Sequence, residues 1–174
     1  MATVAGQEAF WRAVAPYAAA VHAAIPSLWP QTLLVQWGVE TGYNPAGYPP
    51  YNLAGISPGG HLAAYRSYGD FVRAYIATIS SPLYAAVRQA PDVVDQLYAL
   101  GESPWAAGHY HGPGQRPGQT LVDVYLQHRG YLDSLAGTIP VSVGGITAAV
   151  PTWVGAAVVG IPLAALIIAD LRRL

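Results

Sequence analysis

The chain has 174 residues, a net charge of −1 and no cysteine. That length suits one ordinary globular domain. The near-zero charge and the lack of basic patches interleaved with aromatics exclude the footprint of a nucleic-acid-binding protein, and the lack of Cys excludes disulfides and thiolate metal sites. Twelve Tyr, five Trp and fifteen Pro beside few charges point to a tight, aromatic-lined protein; aromatic clefts suit sugars, whose C–H faces stack on rings.

Taken in order, residues 1–6 read as loose chain, and residues 7–24 as an amphipathic helix with Phe10, Trp11, Val14, Tyr17, Val21 and Ile25 inward. Pro26 ends it, and Pro30 starts a second helix that runs to Thr41. Residues 43–65 change character: four prolines and four glycines separate short apolar runs, which predicts a small lobe built from a β-hairpin or an irregular loop. Ser67 caps a third helix, with Asp70 in its first turn and Phe71, Tyr75, Ile76 and Ile79 inward. Ser81-Pro82 opens a short fourth helix to Gln89. Pro91 opens a fifth, closed by Gly101. After a Gly/Pro loop over residues 109–119, Thr120-Leu121-Val122-Asp123 opens a last helix in capping-box style, ending near Leu135.

The organising stretch is Gln36-Trp37-Gly38-Val39-Glu40-Thr41-Gly42-Tyr43. Leu33, Trp37 and Glu40 fall at i, i+4 and i+7, so the acid shares a face with two residues that belong in a core. Gly42 stops the helix and leaves Glu40 in its last turn, among carbonyls of partial negative charge. Apolar surroundings and a negative helix end both raise a carboxyl pKa, which describes a general acid that keeps its proton near neutrality.

From Ser134 to Ala169 no charged residue occurs. Residues 137–147 read as a linker and residues 148–174 as a transmembrane anchor: Trp153 to Arg172 spans about 28 Å as a helix, close to the hydrocarbon thickness of a bilayer. Trp153 would mark one interface; Arg172 and Arg173 would mark the other and face the cytoplasm. The N-terminus lacks the basic-then-apolar pattern of a signal peptide, since Glu8 and Arg12 interrupt it. Five His residues raise the question of zinc, but no H-E-x-x-H or similar spacing occurs, and His109 and His111 lie in a Gly-rich loop far from His61 and His128; no metal and no cofactor are expected. No G-x-S-x-G elbow is present either.

With these residues in view, the chain resembles the peptidoglycan-hydrolysing glucosaminidases of glycoside hydrolase family 73, over roughly residues 7–135. Gln36-x-x-x-Glu40-Thr41-Gly42-Tyr43 is similar to the family's Q-x-x-x-E-[ST]-G-[WY], and Asn52-Leu53-Ala54-Gly55-Ile56 to its N-L-F-G-I. Tyr65-Arg66-Ser67-Tyr68-Gly69-Asp70-Phe71 is similar to the start of the family's next helix, and the stretch from Leu97 to Tyr110 to its L-x-x-A-G-Y-A-T-D-P-x-Y. The resemblance implies a mainly α, lysozyme-like helical domain over residues 1–136 with a small β-lobe, acting on the β-1,4 glycan strand of peptidoglycan. It implies Glu40 as general acid, Gln36 hydrogen-bonding near it, and Tyr43, Asn52 and Tyr110 lining the cleft. Trp105, where the family has no fixed aromatic, is a candidate stacking residue on its own chemistry.

One departure matters. The family's second carboxylate lies in the β-lobe, and here residues 41–69 contain no Asp or Glu. Asp70 and Glu102 are the nearest candidates in sequence, with a helix cap and a solvated loop residue as their ordinary roles. Three routes stay open: the substrate's own N-acetyl group as nucleophile, a water oriented by Tyr or Asn, or lytic transglycosylation with the sugar's own hydroxyl. The expected function is a membrane-tethered wall hydrolase of endo-β-N-acetylglucosaminidase type, anchored through residues 148–171 with its catalytic domain facing the wall. The tail without an export signal fits a phage component held in a virion membrane. The rival classes are a wall-binding structural module that has lost catalysis and a membrane-perturbing protein whose tail is the active part.

Overall fold

The second helix of the chain is buried almost all round. In the computed structural model, which describes residues 2–47, 49–106, 109–138, 140–143 and 146–149, it spans Pro30–Thr41 (α2), and Pro30 and every residue from Thr32 to Gly38 lie inside the protein. A helix with no solvated face belongs at the centre of a bundle. α2 packs there against α1 (Val4–Ala24), α5 (Val93–Glu102) and α6 (Gln119–Thr138), while α3 (Tyr68–Ile79) lies on α1 and α4 (Ala85–Gln89) on α5. The protein is therefore mainly α-helical.

Polar side chains fix the crossings. The Trp11 indole N–H donates to the Leu34 carbonyl at 3.0 Å and ties α1 to α2. Gln96 is wholly buried: its oxygen accepts from the Trp29 amide (2.9 Å), and its nitrogen donates to the carbonyls of Ser27 (2.8 Å) and Val87 (2.9 Å). One amide on α5 thus bonds three backbone groups on two other segments, that of Val87 buried, and ties the start of α2 to α5.

The helix boundaries follow local chemistry. α1 starts at Val4, earlier than expected, because the Thr3 hydroxyl accepts from the Gly6 amide at 3.2 Å. Ser67 caps α3, as its sequence predicts, accepting from the Asp70 amide at 3.1 Å. α5 begins at Val93, two residues later than the expected start at Pro91, with Asp92 as its cap accepting from the Asp95 amide at 2.9 Å. The fourth helix begins as a 3-10 turn over Pro82–Tyr84. Gly101 does not close α5, which runs on to Glu102; the glycine is there for packing, since a Cβ on it would lie 2.6 Å from the Pro117 carbonyl carbon. α6 opens one residue before the expected capping box and continues past Leu135 to Thr138.

Between α2 and α3 the described residues hold no strand. The expected small lobe is an irregular loop with a 3-10 turn at Pro58–Gly60. Its prolines cannot donate to a ladder, so it folds on isolated bonds instead: Ala63 N–H to Ile56 O at 2.9 Å and Tyr65 N–H to Pro50 O at 3.1 Å.

The residues read as a linker also differ. Pro140–Val143 (β1) pairs antiparallel with Ile146–Ala149 (β2), Val141 opposite Ala148. β-branched residues on either side of Gly144-Gly145 favour such a hairpin. The expected transmembrane anchor lies outside the described residues, apart from Ala148 and Ala149 in β2; among the described residues no helix is long and apolar enough to cross a membrane.

Candidate active site

Glu40 ends up where its spacing places it. Leu33 and Trp37 are fully buried, and Glu40, one turn further on, is half-buried at the end of α2. Gly42 takes the left-handed conformation (φ 58°) and its N–H returns to the carbonyls of Gly38 and Val39. Burial pushes the Glu40 carboxyl above its ordinary value; a hydrogen bond from the Tyr110 hydroxyl and the charge of His109 pull it partly back.

The two carboxyl oxygens have different surroundings. Oε1 accepts from the Tyr110 hydroxyl. Oε2 lies against Gly55 of the irregular loop, where a Cβ would stand only 2.9 Å away. Gly55 has φ 62°, so both its backbone and its neighbour call for glycine. The proton of a neutral Glu40 therefore belongs on Oε2, since Oε1 is already taken by a donor.

Behind the carboxyl stands a buried polar row. Gln36, fully buried one turn before Glu40, accepts at Oε1 from the Tyr75 hydroxyl at 2.7 Å. The Gln36 nitrogen, buried in the same row, makes no hydrogen bond among the described residues. Burial and the Glu40 carboxylate both push the Tyr75 and Tyr110 hydroxyls far up, so both remain donors throughout the accessible pH range. The Phe71–Tyr75–Ile79 spacing places Tyr75 in the core and carries no signal of what its hydroxyl meets.

The structure thus brings together Glu40, Gln36 and Tyr110, adds Tyr75, and sets Trp105 beside them. The Trp105 indole N–H donates to Ala54 O at 2.8 Å, and its ring packs on Tyr75 (5.1 Å) and Tyr84 (5.4 Å). A cleft of about 260 Å³ opens there, lined by residues that include Gly55, Ser57, Thr78, Tyr84 and Trp105. Gly55 is its boundary with the Glu40 carboxyl.

The other expected site residues are placed elsewhere. Tyr43 has φ 64° and turns its ring back over Gly38 onto Phe10 and Trp11, at 5.8 and 5.6 Å, instead of lining the cleft. The absence of a Cβ at Gly38 makes that seat, since one would lie 2.6 Å from Tyr43 Cε1. Asn52 is 1% exposed and fully used within the loop: its nitrogen donates to the carbonyls of Ile56 and Ala63, and its oxygen accepts from the Ile56 amide, each at 2.9 Å. It shapes the wall that carries Gly55 and offers no free polar atom to a ligand. Asn52→Ala is expected to cost about 2 kcal/mol of stability, because it strands buried backbone groups; urea unfolding measures it.

Neither candidate second carboxylate attends Glu40. Asp70 is held by Arg66 (3.2 Å) and Arg73; desolvation raises its pKa, and the two guanidiniums together outweigh that and lower it. Glu102 pairs with Arg116 at 2.9 Å on the surface, and that guanidinium also lies 3.9 Å over the Tyr98 ring. Among the described residues no three His, Asp or Glu are grouped as metal ligands.

Since Tyr110 lowers the Glu40 pKa, Tyr110→Phe should raise it. The carboxyl signal of Glu40, followed by NMR titration, is expected to move to higher pH in that variant. No movement would mean that Tyr110 does not hold the carboxylate.

Comparison with protein-family models, with curated proteins and with solved structures finds no match to this chain.

Proposed function

We propose that the chain is a glycosidase that cuts the β-1,4 glycan strand of peptidoglycan, on a lysozyme-like helical frame, with Glu40 as its one general acid. The observation that carries this reading is the Glu40 carboxyl itself: half-buried, biased toward its neutral form, gripped at Oε1 by Tyr110, with Oε2 against Gly55, which in turn lines a cleft that holds Tyr84 and Trp105. In this reading the Oε2 proton passes to the glycosidic oxygen as the C1–O bond breaks, and the carboxylate left behind takes a proton from the O–H that finally bonds to C1, that of the water which opens an N-acetyl-derived intermediate or that of the sugar's 6-hydroxyl. The tail beyond β2, residues 150–174, is the bilayer anchor, and a phage wall-cutting component is the setting that best fits a small domain on such a tail.

The missing second carboxylate favours a nucleophile supplied by the substrate. The groups acting on the Glu40 charge are Tyr110 and His109, with no carboxylate among them. That leaves the N-acetyl oxygen, whose bicyclic intermediate water then opens, or the sugar's 6-hydroxyl, which closes an anhydro ring as in lytic transglycosylases. The test incubates the full chain, wild type beside Glu40→Gln, with purified peptidoglycan and reads reduced fragments by mass spectrometry. Reducible ends from wild type alone support the hydrolase; anhydro ends support the transglycosylase. No fragments from either protein, with wall binding intact, would sink the enzyme reading and leave a wall-binding module.

A further inference from the structure

The buried row behind Glu40 holds two hydroxyl protons and two oxygens to receive them. The Tyr110 hydroxyl donates to Glu40 Oε1, and the Tyr75 hydroxyl donates to Gln36 Oε1 at 2.7 Å. Besides burial, the groups that act on the Tyr110 hydroxyl are Glu40, Gln36 and Tyr75, so the four stand together. Glu40 and Tyr84 act in turn on the Tyr75 hydroxyl. Gln36 is fully buried, so water cannot supply its oxygen with a proton. Of the two ends of that amide only the oxygen accepts, and the nitrogen can take no proton from either tyrosine. Tyr75 is 1% exposed, and its ring is seated against Trp37 (5.5 Å), Phe71 (5.8 Å) and Trp105 (5.1 Å), which fixes where its hydroxyl lies.

We propose that Tyr75 is a positioning residue for the Glu40 carboxyl: by supplying the Gln36 oxygen with a proton, it leaves the Tyr110 hydroxyl to Glu40 alone. Without the Tyr75 hydroxyl, Gln36 Oε1 becomes a buried acceptor with no donor, which is costly. Tyr110 is the other hydroxyl of the row, and whenever it turns to Gln36 the Glu40 carboxylate loses its donor. Glu40 tolerates that loss better than Gln36 does, because it is only half-buried. Tyr75 thus acts through Gln36 and Tyr110. That the carboxyl it positions is a catalytic acid rests on the glycosidase reading; the hydrogen bonds of the row do not.

The experiment follows the Glu40 carboxyl of the full chain by NMR titration. Tyr75→Phe keeps the ring and removes the hydroxyl. Glu40 is expected to titrate at higher pH in that variant, by no more than in Tyr110→Phe, since the Tyr110 hydrogen bond is all that can be lost. Gln36→Met added to it removes the competing oxygen. The double variant should therefore bring the titration back to the wild-type pH, and it is the gentler of the two on the fold, because donor and acceptor leave together. Damage to packing would persist or grow in the double variant, so restoration is the mark of positioning. An unmoved titration in Tyr75→Phe overturns the proposal, and so does a shift that the double variant keeps. A Tyr75→Phe chain that no longer folds overturns it as well, since Tyr75 then holds the fold and not the acid. Cleavage of peptidoglycan by wild type, with an unmoved titration in Tyr75→Phe, rejects the role of Tyr75 and keeps the glycosidase. A titration that shifts and is restored, with no cleavage by wild type, keeps Tyr75 as the residue that positions this carboxyl and rejects the glycosidase.

Discussion

Glu40→Gln is expected to lower glycan cleavage by about 10²- to 10⁴-fold, the usual contribution of a positioned general acid, while leaving the fold intact. The amide keeps the shape of the carboxyl and can still accept from Tyr110 at its oxygen, so substrate binding should change little and the loss should fall on kcat. The wild-type rate should decline as pH rises through the Glu40 pKa, because the acid must be protonated to act, and the residual rate of the variant should lack that limb.

Stability gives an independent reading of the same group. The folded carboxyl titrates above its ordinary value of 4.5. Below that value both folded and unfolded chains are protonated and Glu40 contributes no pH dependence. As pH rises from there to the folded pKa, the unfolded chain releases its proton first, so wild-type stability falls; above the folded pKa the deficit is constant. Glu40→Gln has no such slope. Its melting temperature should therefore gain on wild type across that window. A difference that stays flat from acid to neutral pH would mean that the carboxyl is not perturbed.

Much of this site was legible in the chain, for particular reasons. Glu40 could be placed because helical periodicity fixes its face once Leu33 and Trp37 are assigned to the core, and because Gly42 marks where the helix stops. Gln36 follows by the same spacing. Tyr110 came from resemblance, since nothing local says that a loop tyrosine bends back to a carboxyl seventy residues earlier. Tyr75 was missed because an inward aromatic looks the same whether its hydroxyl meets a glutamine or nothing. Asn52 and Tyr43 show the opposite failure. Both flank the acid in sequence, but the short amide of Asn52 competes successfully for backbone groups of its own loop. The left-handed backbone at Tyr43 sends its ring to α1. The lobe itself was open between hairpin and irregular loop, and its proline content decides for the loop.

Gly101 supplies the second large effect, and it acts on the site through the fold. α5 and the segment leading into α6 touch backbone to backbone there: a Cβ on Gly101 would overlap Gly118, and a Cβ on Gly118 would stand 2.7 Å from the Leu97 carbonyl oxygen. Gly118 also has φ 89°, a conformation that side chains rarely adopt. Because the neighbours are backbone atoms, no rotamer change can relieve the overlap; either α5 or the segment must move. Gly101→Ala is therefore expected to lose about 3 kcal/mol, at the upper end for overpacking, even though alanine is the better helix former. The displaced segment is the one that holds Tyr110, whose carbonyl accepts from the Thr120 amide at 3.0 Å just beyond Gly118. The variant should therefore lose part of the Tyr110–Glu40 contact and shift the Glu40 titration upward, as Tyr110→Phe does. Urea unfolding and the Glu40 titration together separate the possibilities. Lost stability with an unmoved titration would mean that the glycine contact holds the helices and not the site, whereas unchanged stability would mean that α5 and α6 do not meet through these two glycines.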